Sequence, residues 1–251
     1  ALYNADGSAN VLSANRFLGQ ATPYVGEYGI SNQPESFATH GYQAYFTDKA
    51  RGVVIRLSQD GITPISDHGM KDYFSDNLVT DKLDHMIGSY DNRKRLYNIT
   101  ILDSSVATDF SLDTGNRTLS FMEASRGWTS RKSFTPEAGC SLDNKYYTFK
   151  DGDMWLHGSD VNATFYGVFQ EPSIKFIFND SPETVKTFKT LNYEGTQSKI
   201  VQNLTDGRYD NNAALTGWYN VATTTNLQSG KVNEFIKKEG KWFNFIQGDA
   251  T

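Results

Sequence analysis

Short apolar runs separated by turn residues recur along the chain, and this pattern limits the folds that it can adopt. In stretches such as "YQAYFTD" and "KYYTFKDGDMWLHG" apolar and polar residues alternate. The first stretch ends in a predicted turn at Lys49 to Gly52, and the pair Asp151-Gly152 suits a two-residue hairpin turn. Long helical periodicity is nearly absent, and aromatic residues make up 14% of the sequence. We therefore predict an all-β fold, mainly β-strands with one or two short helices.

Three tyrosines indicate a weak repeat in the middle of the chain. Tyr45, Tyr97 and Tyr147 fall on predicted strands of equivalent pattern, and the three tyrosines are 52 and 50 residues apart. Propeller blades run to about 40 to 50 residues each, and loop insertions lengthen them. We predict a propeller-like array of antiparallel blades over residues 41–170.

The two ends of the chain differ from this middle part. Residues 1–40 are rich in Asn, Gly, Ser and Pro with isolated aromatics, which is typical of an extended N-terminal arm that packs on another subunit. Residues 171–251 predict a C-terminal β-rich segment that begins with the strand "SIKFIFND" and a helical turn capped by Ser181. Because the sequence opens Ala-Leu-Tyr without Met, we interpret it as a fragment of a larger polypeptide.

The clearest helix candidate is the stretch "DHGMKDYFSDNL". Its apolar residues have helical spacing, and Ser66 or Asp67 is available as the N-cap. The spaced apolar residues are Met70, Tyr73, Phe74 and Leu78. The helix is short, which predicts a connector between strands.

The stretch "SLDTGNRTLSF" has most of the Asp-box signature of sialidase-like propellers. Ser111, Asp113 and Gly115 match the signature, but Thr118 stands where the plug aromatic belongs and the aromatic follows at Phe121. The sequence shows no arginine cluster and no paired nucleophile of the kind that a sialidase needs. We interpret the stretch as a hairpin that is part of a scaffold, with Leu119 and Phe121 facing the core.

Other reactive residues form no convergent set in the sequence. The single cysteine, Cys140, excludes an intramolecular disulfide, and the aspartates nearly all sit in predicted turns. "DGDMW" and "DTGN" begin like calcium loops but lack the later ligands. The four histidines lack the spacing of metal ligands: His40, His68, His85 and His157. We expect no catalytic residues, no metal site and no cofactor, and hence no enzyme.

Charge and hydropathy limit the classes of partner that we expect for this chain. The net charge is −5 and the basic residues are dispersed, so we expect no nucleic-acid partner. No apolar stretch approaches the roughly 20 residues of a spanning helix, so we expect no membrane partner. Four tryptophans fit either a buried core or subunit interface, which we favour, or an exposed sugar-binding platform: Trp128, Trp155, Trp218 and Trp242.

Four long phrases resemble sequences of structural proteins of tailed bacteriophages. They are "PYVGEYGISNQPESFATHGYQAYFTDKARGVVIRLSQDGITPIS", "LSFMEASRGWTSRKSFTPEAGCSLDNKYYTFKDGDMWLHG", "IFNDSPETVKTFKTLNYEGTQSKI" and "KVNEFIKKEGKWFNFIQGD". The family comprises large virion proteins of the tail, baseplate or muzzle region that carry such sequences toward their C-terminal ends. The resemblance implies an assembly role in a virion that is assembled in the host cytoplasm. It gives no catalytic motif to transfer to this chain.

The expected mechanism is binding to other phage tail or virion proteins as a homo-oligomer. We expect the arm and the aromatic C-terminal segment at interfaces, with these contact residues: Tyr24, Tyr28, Phe37, Trp242, Phe243 and Phe245. Two alternatives remain open at this point. One is a carbohydrate-binding or glycan-degrading receptor-binding module of the tail, and the other is a head-surface protein.

Overall fold

A computed structural model describes residues 24–80, 83–103 and 115–248. The first 23 residues of the predicted arm, and Ser111 and Asp113 of the Asp-box stretch, lie outside the described residues. The chain divides into two units, residues 1–174 and residues 175–251. No helix within the described ranges is long and apolar enough to cross a membrane.

The N-terminal unit consists of consecutive antiparallel sheets in which neighbouring strands follow one another in sequence. The first sheet contains β1 (Ala38–His40), β2 (Gln43–Asp48), β3 (Val53–Ser58) and β4 (Gly61–Pro64). The second contains β5 (Leu83–Asp91), β6 (Leu96–Asp103), β7 (Arg117–Met122) and β8 (Gly127–Lys132). The third contains β9 (Ala138–Leu142), β10 (Lys145–Lys150) and β11 (Asp153–Leu156), and the hairpin of β12 (Thr164–Phe165) and β13 (Val168–Phe169) follows. The all-β prediction is confirmed, and the propeller arrangement stays a prediction.

Turn residues form the hairpins where the sequence predicts them. Asp151 and Gly152 have φ values of 53° and 83°, the left-handed pair that a primed two-residue turn requires, and Lys150 pairs with Asp153 across it. Between β2 and β3 the backbone N–H of Gly52 donates to the carbonyl oxygen of Lys49 at 3.2 Å. Local turn chemistry thus sets the strand register in both hairpins.

The three repeat tyrosines lie on the second strand of their sheets, β2, β6 and β10. Tyr45 and Tyr97 are fully buried, and their ring centroids are 4.8 Å apart. In the third sheet the buried ring is that of Tyr146, and Tyr147 is half-buried. The three strands are therefore equivalent in position. In the third sheet, however, the buried tyrosine comes one residue earlier in the chain than the repeat spacing predicts, so Tyr147 lies on the opposite face of its strand from Tyr146.

One core fills the space between the first two sheets and a helix. Tyr45, Tyr97, Phe74 and Phe121 are its largest buried side chains, and Trp128 packs against them. Leu119 and Phe121 both face this core, as predicted. The core therefore depends on aromatic rings from both sheets.

The helix α1 (Lys71–Leu78) is confirmed, but its predicted cap is wrong. Met70 occupies the N-cap position without a side-chain hydrogen bond. Ser66 and Asp67 lie in a preceding 3-10 turn (Ile65–Asp67), which ends before the helix begins. The helix is held by burial of Phe74 and Leu78 rather than by its cap.

Part of the predicted arm belongs to the packing of the N-terminal unit. A 3-10 turn (Pro34–Ser36) precedes β1. The side-chain oxygen of Gln33 accepts a hydrogen bond from the backbone N–H of Met86 at 2.9 Å, and Ser36 Oγ accepts one from the backbone N–H of Thr47 at 3.0 Å. This buried turn therefore joins β5 to β2.

The C-terminal unit has short strands and a small core. Its sheets contain β14 (Thr190–Tyr193), β15 (Thr223–Thr224), β16 (Ser229–Lys231), β17 (Ile236–Lys238), β18 (Lys241–Phe245) and β19 (Gln247–Gly248). The sheet orders are β14-β18-β17 and β15-β16-β19, all antiparallel. Ile200, Val232, Phe235 and Trp242 form the buried cluster.

Two predictions for the start of this part of the chain are wrong. The stretch "SIKFIFND" is not paired as a strand. Ser181 does not cap a helix, because its φ of 52° is left-handed, and it begins only a turn in which the N–H of Thr184 donates to its carbonyl oxygen at 3.1 Å. An apolar alternating run forms a strand only when another strand supplies hydrogen-bond partners.

Candidate interface surfaces

The C-terminal unit buries little of its apolar surface. Among its described residues 175–248, the buried hydrophobic side chains are those of Ile200, Val232, Phe235 and Trp242. A larger set of bulky hydrophobic residues in the same range is exposed: Phe176, Ile177, Phe178, Val185, Phe188, Val201, Leu204, Tyr209, Leu215, Trp218, Tyr219, Val221, Leu227 and Phe245. Small domains with such small cores usually need a partner or a staple.

The most apolar exposed stretch is residues 175–179, which we call the apolar segment. Phe176, Ile177 and Phe178 are 67%, 87% and 64% exposed. The rings of Phe176 and Phe178 stack with centroids 6.0 Å apart, so side chains two residues apart project to the same side, as they do in an extended chain. Within the described part of the chain, the backbone of this segment forms no hydrogen bond.

A second apolar surface lies on the sheet β14-β18-β17. Phe243 pairs with Ile236 of β17, and Phe245 lies two residues further along the same face of β18. Phe245 is exposed and Phe243 is half-buried. We call Ile236, Phe243 and Phe245 the outer face of this sheet.

Trp242 faces the opposite side of β18 from these residues. It is 5% exposed, and its indole Nε1–H donates to the carbonyl oxygen of Gly195 at 3.1 Å. Lys237 covers the ring, with its Nζ 5.6 Å from the ring centroid. Of the predicted interface residues, Trp242 thus belongs to the core of the C-terminal unit and not to a free surface.

The three predicted interface residues of the arm are exposed on the N-terminal unit. Tyr24, Tyr28 and Phe37 all present apolar surface to solvent. The backbone between Tyr28 and Phe37 is tethered, because Gly29 N–H and Ser31 Oγ donate to the Asp48 carboxylate at 3.0 and 2.8 Å. Tyr28 and Phe37 are therefore displayed from the two ends of an anchored stretch.

The described part of the Asp-box stretch serves a hairpin. Gly115 has a φ of 82°, and the side-chain oxygen of Asn116 accepts a hydrogen bond from the backbone N–H of Asp103 at 3.1 Å. Thr118 is buried, and its hydroxyl donates to the carbonyl oxygen of Phe134 at 2.6 Å. At the plug position, a buried threonine thus makes a structural hydrogen bond.

The histidine with a perturbed pKa lies in an aromatic cluster. The pKa of His157 is lowered to about 4, chiefly by burial and also by the nearby charge of Lys94. The ring packs against Phe134 at 4.5 Å, and its Nε2 is 2.7 Å from Thr148 Oγ1. The described residues contain no group of three or more His, Cys, Asp or Glu side chains that could hold a metal ion.

Two surfaces were only partly predictable from the sequence. Residues 175–179 have the pattern of a strand and were not predicted as a contact surface. The available signal was an apolar run bracketed by Pro172 and Pro182, residues that end strand pairing on either side. Trp242 and Phe245 were both predicted at an interface, but they face opposite sides of β18.

Comparison with known families gives one finding, and it concerns the C-terminal part of the chain. No curated protein matches the sequence. Residues 161–249 match the family model described as the Crassvirus muzzle protein C-terminal domain. This range includes the apolar segment and the outer face. The match supports a phage virion structural protein.

Proposed function

We propose that the chain is a structural component of the tail region of a tailed-phage virion and acts by protein–protein assembly, without catalysing a reaction. The observation that carries this proposal is the contrast between the small core of the C-terminal unit and its large exposed apolar surface. The family match over residues 161–249 supports the virion as its location and other virion proteins as its partners.

The energetics of the exposed surface favour association. Covering one Ile or Phe side chain contributes about 1.5 to 3 kcal/mol. Phe176, Ile177 and Phe178 together therefore offer several kcal/mol, before the entropy cost of ordering the partners is subtracted. Contiguous exposed apolar side chains of this kind mark interaction sites on stable proteins.

The N-terminal unit has a different role in the proposal. Its three consecutive antiparallel sheets, each with a repeat tyrosine on the second strand, support a propeller-like scaffold. We propose that this scaffold is present in several copies. Tyr24, Tyr28 and Phe37 are the contact residues that we assign to this unit, and Phe243 and Phe245 are those of the C-terminal unit.

Particle composition tests the proposal directly. We expect mass spectrometry of purified phage particles to detect the chain, and labelling in electron micrographs to place it in the tail region. Detection in the infected-cell lysate but not in purified particles would contradict the virion assignment. Release of reducing sugars from host glycans by the purified chain would contradict the absence of catalysis.

A variant pair tests the apolar surface. We expect the double substitution Phe176→Asp and Phe178→Asp to reduce incorporation into particles at least tenfold, because it puts carboxylates where an apolar contact is proposed. Thr187→Asp, which adds a carboxylate at an exposed polar position nearby, serves as the control. Equal incorporation of both variants would remove this surface from the proposal.

A further inference from the structure

The apolar segment lacks two kinds of partner at once. Its side chains are exposed, and its backbone N–H and C=O groups form no hydrogen bond within the described residues. Its stacked Phe176 and Phe178 rings show an extended backbone already close to that of a strand. Pairing with a sheet edge would satisfy both the backbone and the side chains.

The same unit contains a free sheet edge. Strand β17 (Ile236–Lys238) ends the sheet order β14-β18-β17, so in the described chain only one of its sides is paired. Lys237 and Lys238 are exposed on it, and lysines on an edge strand oppose pairing with arbitrary strands. The edge therefore favours a partner of complementary charge.

Acidic residues follow the apolar segment, so the longer stretches that contain the two elements have opposite net charges. Residues 175–183 carry a net charge of −1 from Lys175, Asp180 and Glu183, whereas residues 236–241 carry a net charge of +2 from three lysines and Glu239. Opposite charges steer association and disfavour wrong partners.

The alternation of side chains along the two elements also matches. When Ile177 is placed opposite Lys237, Phe176 and Phe178 fall on the face of the sheet that carries Ile236 and Phe243. The added strand would thereby extend the outer face, with its exposed Phe245, by two aromatic rings. Either strand direction gives this result, because side chains alternate with a period of two.

We propose that the apolar segment of one copy adds as a strand to the β17 edge of a second copy of this chain. The contact is head-to-tail, since the donor and acceptor surfaces differ, and repeated copies would close into a ring or extend as a filament. This inference rests on the proposed assembly function and names the partner of that surface.

Directed cross-linking of the full chain tests the contact. In a Cys140→Ser background, one preparation carries Ile177→Cys and another carries Lys237→Cys, and the two are mixed under mild oxidation. Cross-strand neighbours lie within disulfide reach, so we expect a covalent dimer in the mixture that is several-fold more abundant than in either preparation alone. Leu227→Cys replaces Lys237→Cys in the control mixture, because Leu227 is exposed but lies outside the β17 edge.

A backbone variant tests the same contact without cysteine. Ile177→Pro removes an N–H and blocks strand pairing, whereas Val185→Pro changes another exposed residue outside the segment. We expect light scattering after gel filtration to show oligomers of the parent chain and of Val185→Pro, and at least tenfold weaker association of Ile177→Pro. A monomeric parent chain, or equal association of both variants, would overturn the proposal, as would a cross-link no stronger than the Leu227 control.

Particle composition separates this inference from the proposed function. The chain found in purified particles without a 177–237 cross-link would overturn strand addition and leave the virion role standing. A 177–237 cross-link in a chain absent from particles would support strand addition and overturn the virion role.

Discussion

The hydroxyl of Tyr97 donates a hydrogen bond to the carbonyl oxygen of Ser36 at 2.9 Å, and both residues are fully buried. Tyr97 lies on the second strand of the second sheet, and Ser36 ends the 3-10 turn that precedes the first sheet. Burial raises the pKa of Tyr97, which keeps the phenol neutral and able to donate. This one bond therefore ties the N-terminal turn to the core between the sheets.

Removing the Tyr97 hydroxyl should cost stability. Tyr97→Phe leaves the Ser36 carbonyl oxygen buried without this donor, and we expect the free energy of unfolding of the N-terminal unit to fall by about 1 to 3 kcal/mol. Tyr147→Phe, on the equivalent strand of the third sheet, is the control, since Tyr147 is only half-buried. Urea unfolding followed by fluorescence measures both, and equal effects would contradict the assignment.

Gly88 tests how closely the N-terminal turn approaches the second sheet. A Cβ atom added at Gly88 would lie 1.9 Å from the carbonyl oxygen of Ser36, so Gly88→Ala must displace the turn. We expect destabilisation of about 1 to 3 kcal/mol or more. Gly127→Ala, in strand β8, meets its nearest backbone atom at an ordinary 3.7 Å and should change the free energy of unfolding far less.

Arg117 holds helix α1 against the end of the second sheet. Its buried guanidinium donates to Tyr73 Oη, to Asn77 Oδ1 and to the carbonyl oxygen of Gly115 at 2.7 to 2.8 Å, and lies 3.6 Å from the Asp103 carboxylate. Arg117→Ala leaves these groups without their shared donor.

We expect Arg117→Ala to lower the free energy of unfolding by about 3 to 5 kcal/mol, as is typical when one partner of a buried ion pair is removed. Arg117→Lys should recover only part of this, since one ammonium cannot reach all the acceptors. The exposed Arg126→Ala is the control. A thermal unfolding series reports all three, and a loss at Arg117 no larger than at Arg126 would refute the network's role.

His157 should make the stability of the N-terminal unit depend on pH. Its folded pKa of about 4 lies below the ordinary value of 6.5, chiefly because of burial. As the pH falls below 6.5 the unfolded chain binds a proton that the folded chain does not, so stability is lost down to about pH 4.

The expected loss is on the order of 1 kcal/mol, because the imidazole is only partly buried and solvent screens its charge. His157→Gln should flatten the dependence of the melting temperature on pH between 6.5 and 4, relative to the control His85→Gln at an exposed position. Identical pH profiles for the two variants would show that another group titrates.

Substitutions at Trp242 and Phe245 should have different effects, the first on stability and the second on assembly. Trp242→Ala empties the core of the C-terminal unit, and we expect a loss of about 3 to 5 kcal/mol in its free energy of unfolding. Phe245→Ala, at 63% exposure, should change stability by less than about 0.5 kcal/mol but weaken association. Unfolding curves and gel filtration of both variants test this, and a reversal of the two effects would contradict the placement of these residues.

Much of the strand pattern could be read from the sequence because it depends on local chemistry. The hairpins around Gly52 and Asp151-Gly152 follow from turn residues, and the strand at Tyr97 follows from the alternation of Tyr97, Ile99 and Ile101 with polar residues. Strands β5 and β9 were not predicted. Strand β5 has a register shift near Leu83 and is buried on both faces along its second half, and β9 is built from small residues, so neither shows clear alternation.

The candidate interface could not be predicted from the sequence, because it depends on contacts with residues that are distant along the chain. The run "KFIF" has the composition of a strand, yet the described chain supplies no strand beside it. The N-terminal segment looks like a free arm in sequence, yet Gln33 and Ser36 fill a gap between β2 and β5 with specific hydrogen bonds. Polar residues that end in a core are recognisable only once their partners are known.

The sequence by itself determined that this chain folds from short antiparallel strands, because alternation and turn residues act between neighbours along the chain. Only the tertiary structure decided which apolar side chains are covered. Trp242 and Phe245 belong to one strand. Trp242 packs in the buried cluster of the C-terminal unit, whereas Phe245 is exposed to solvent. Burial and strand pairing require a partner that is distant in sequence, and the apolar segment shows a strand-forming stretch for which the described chain provides none.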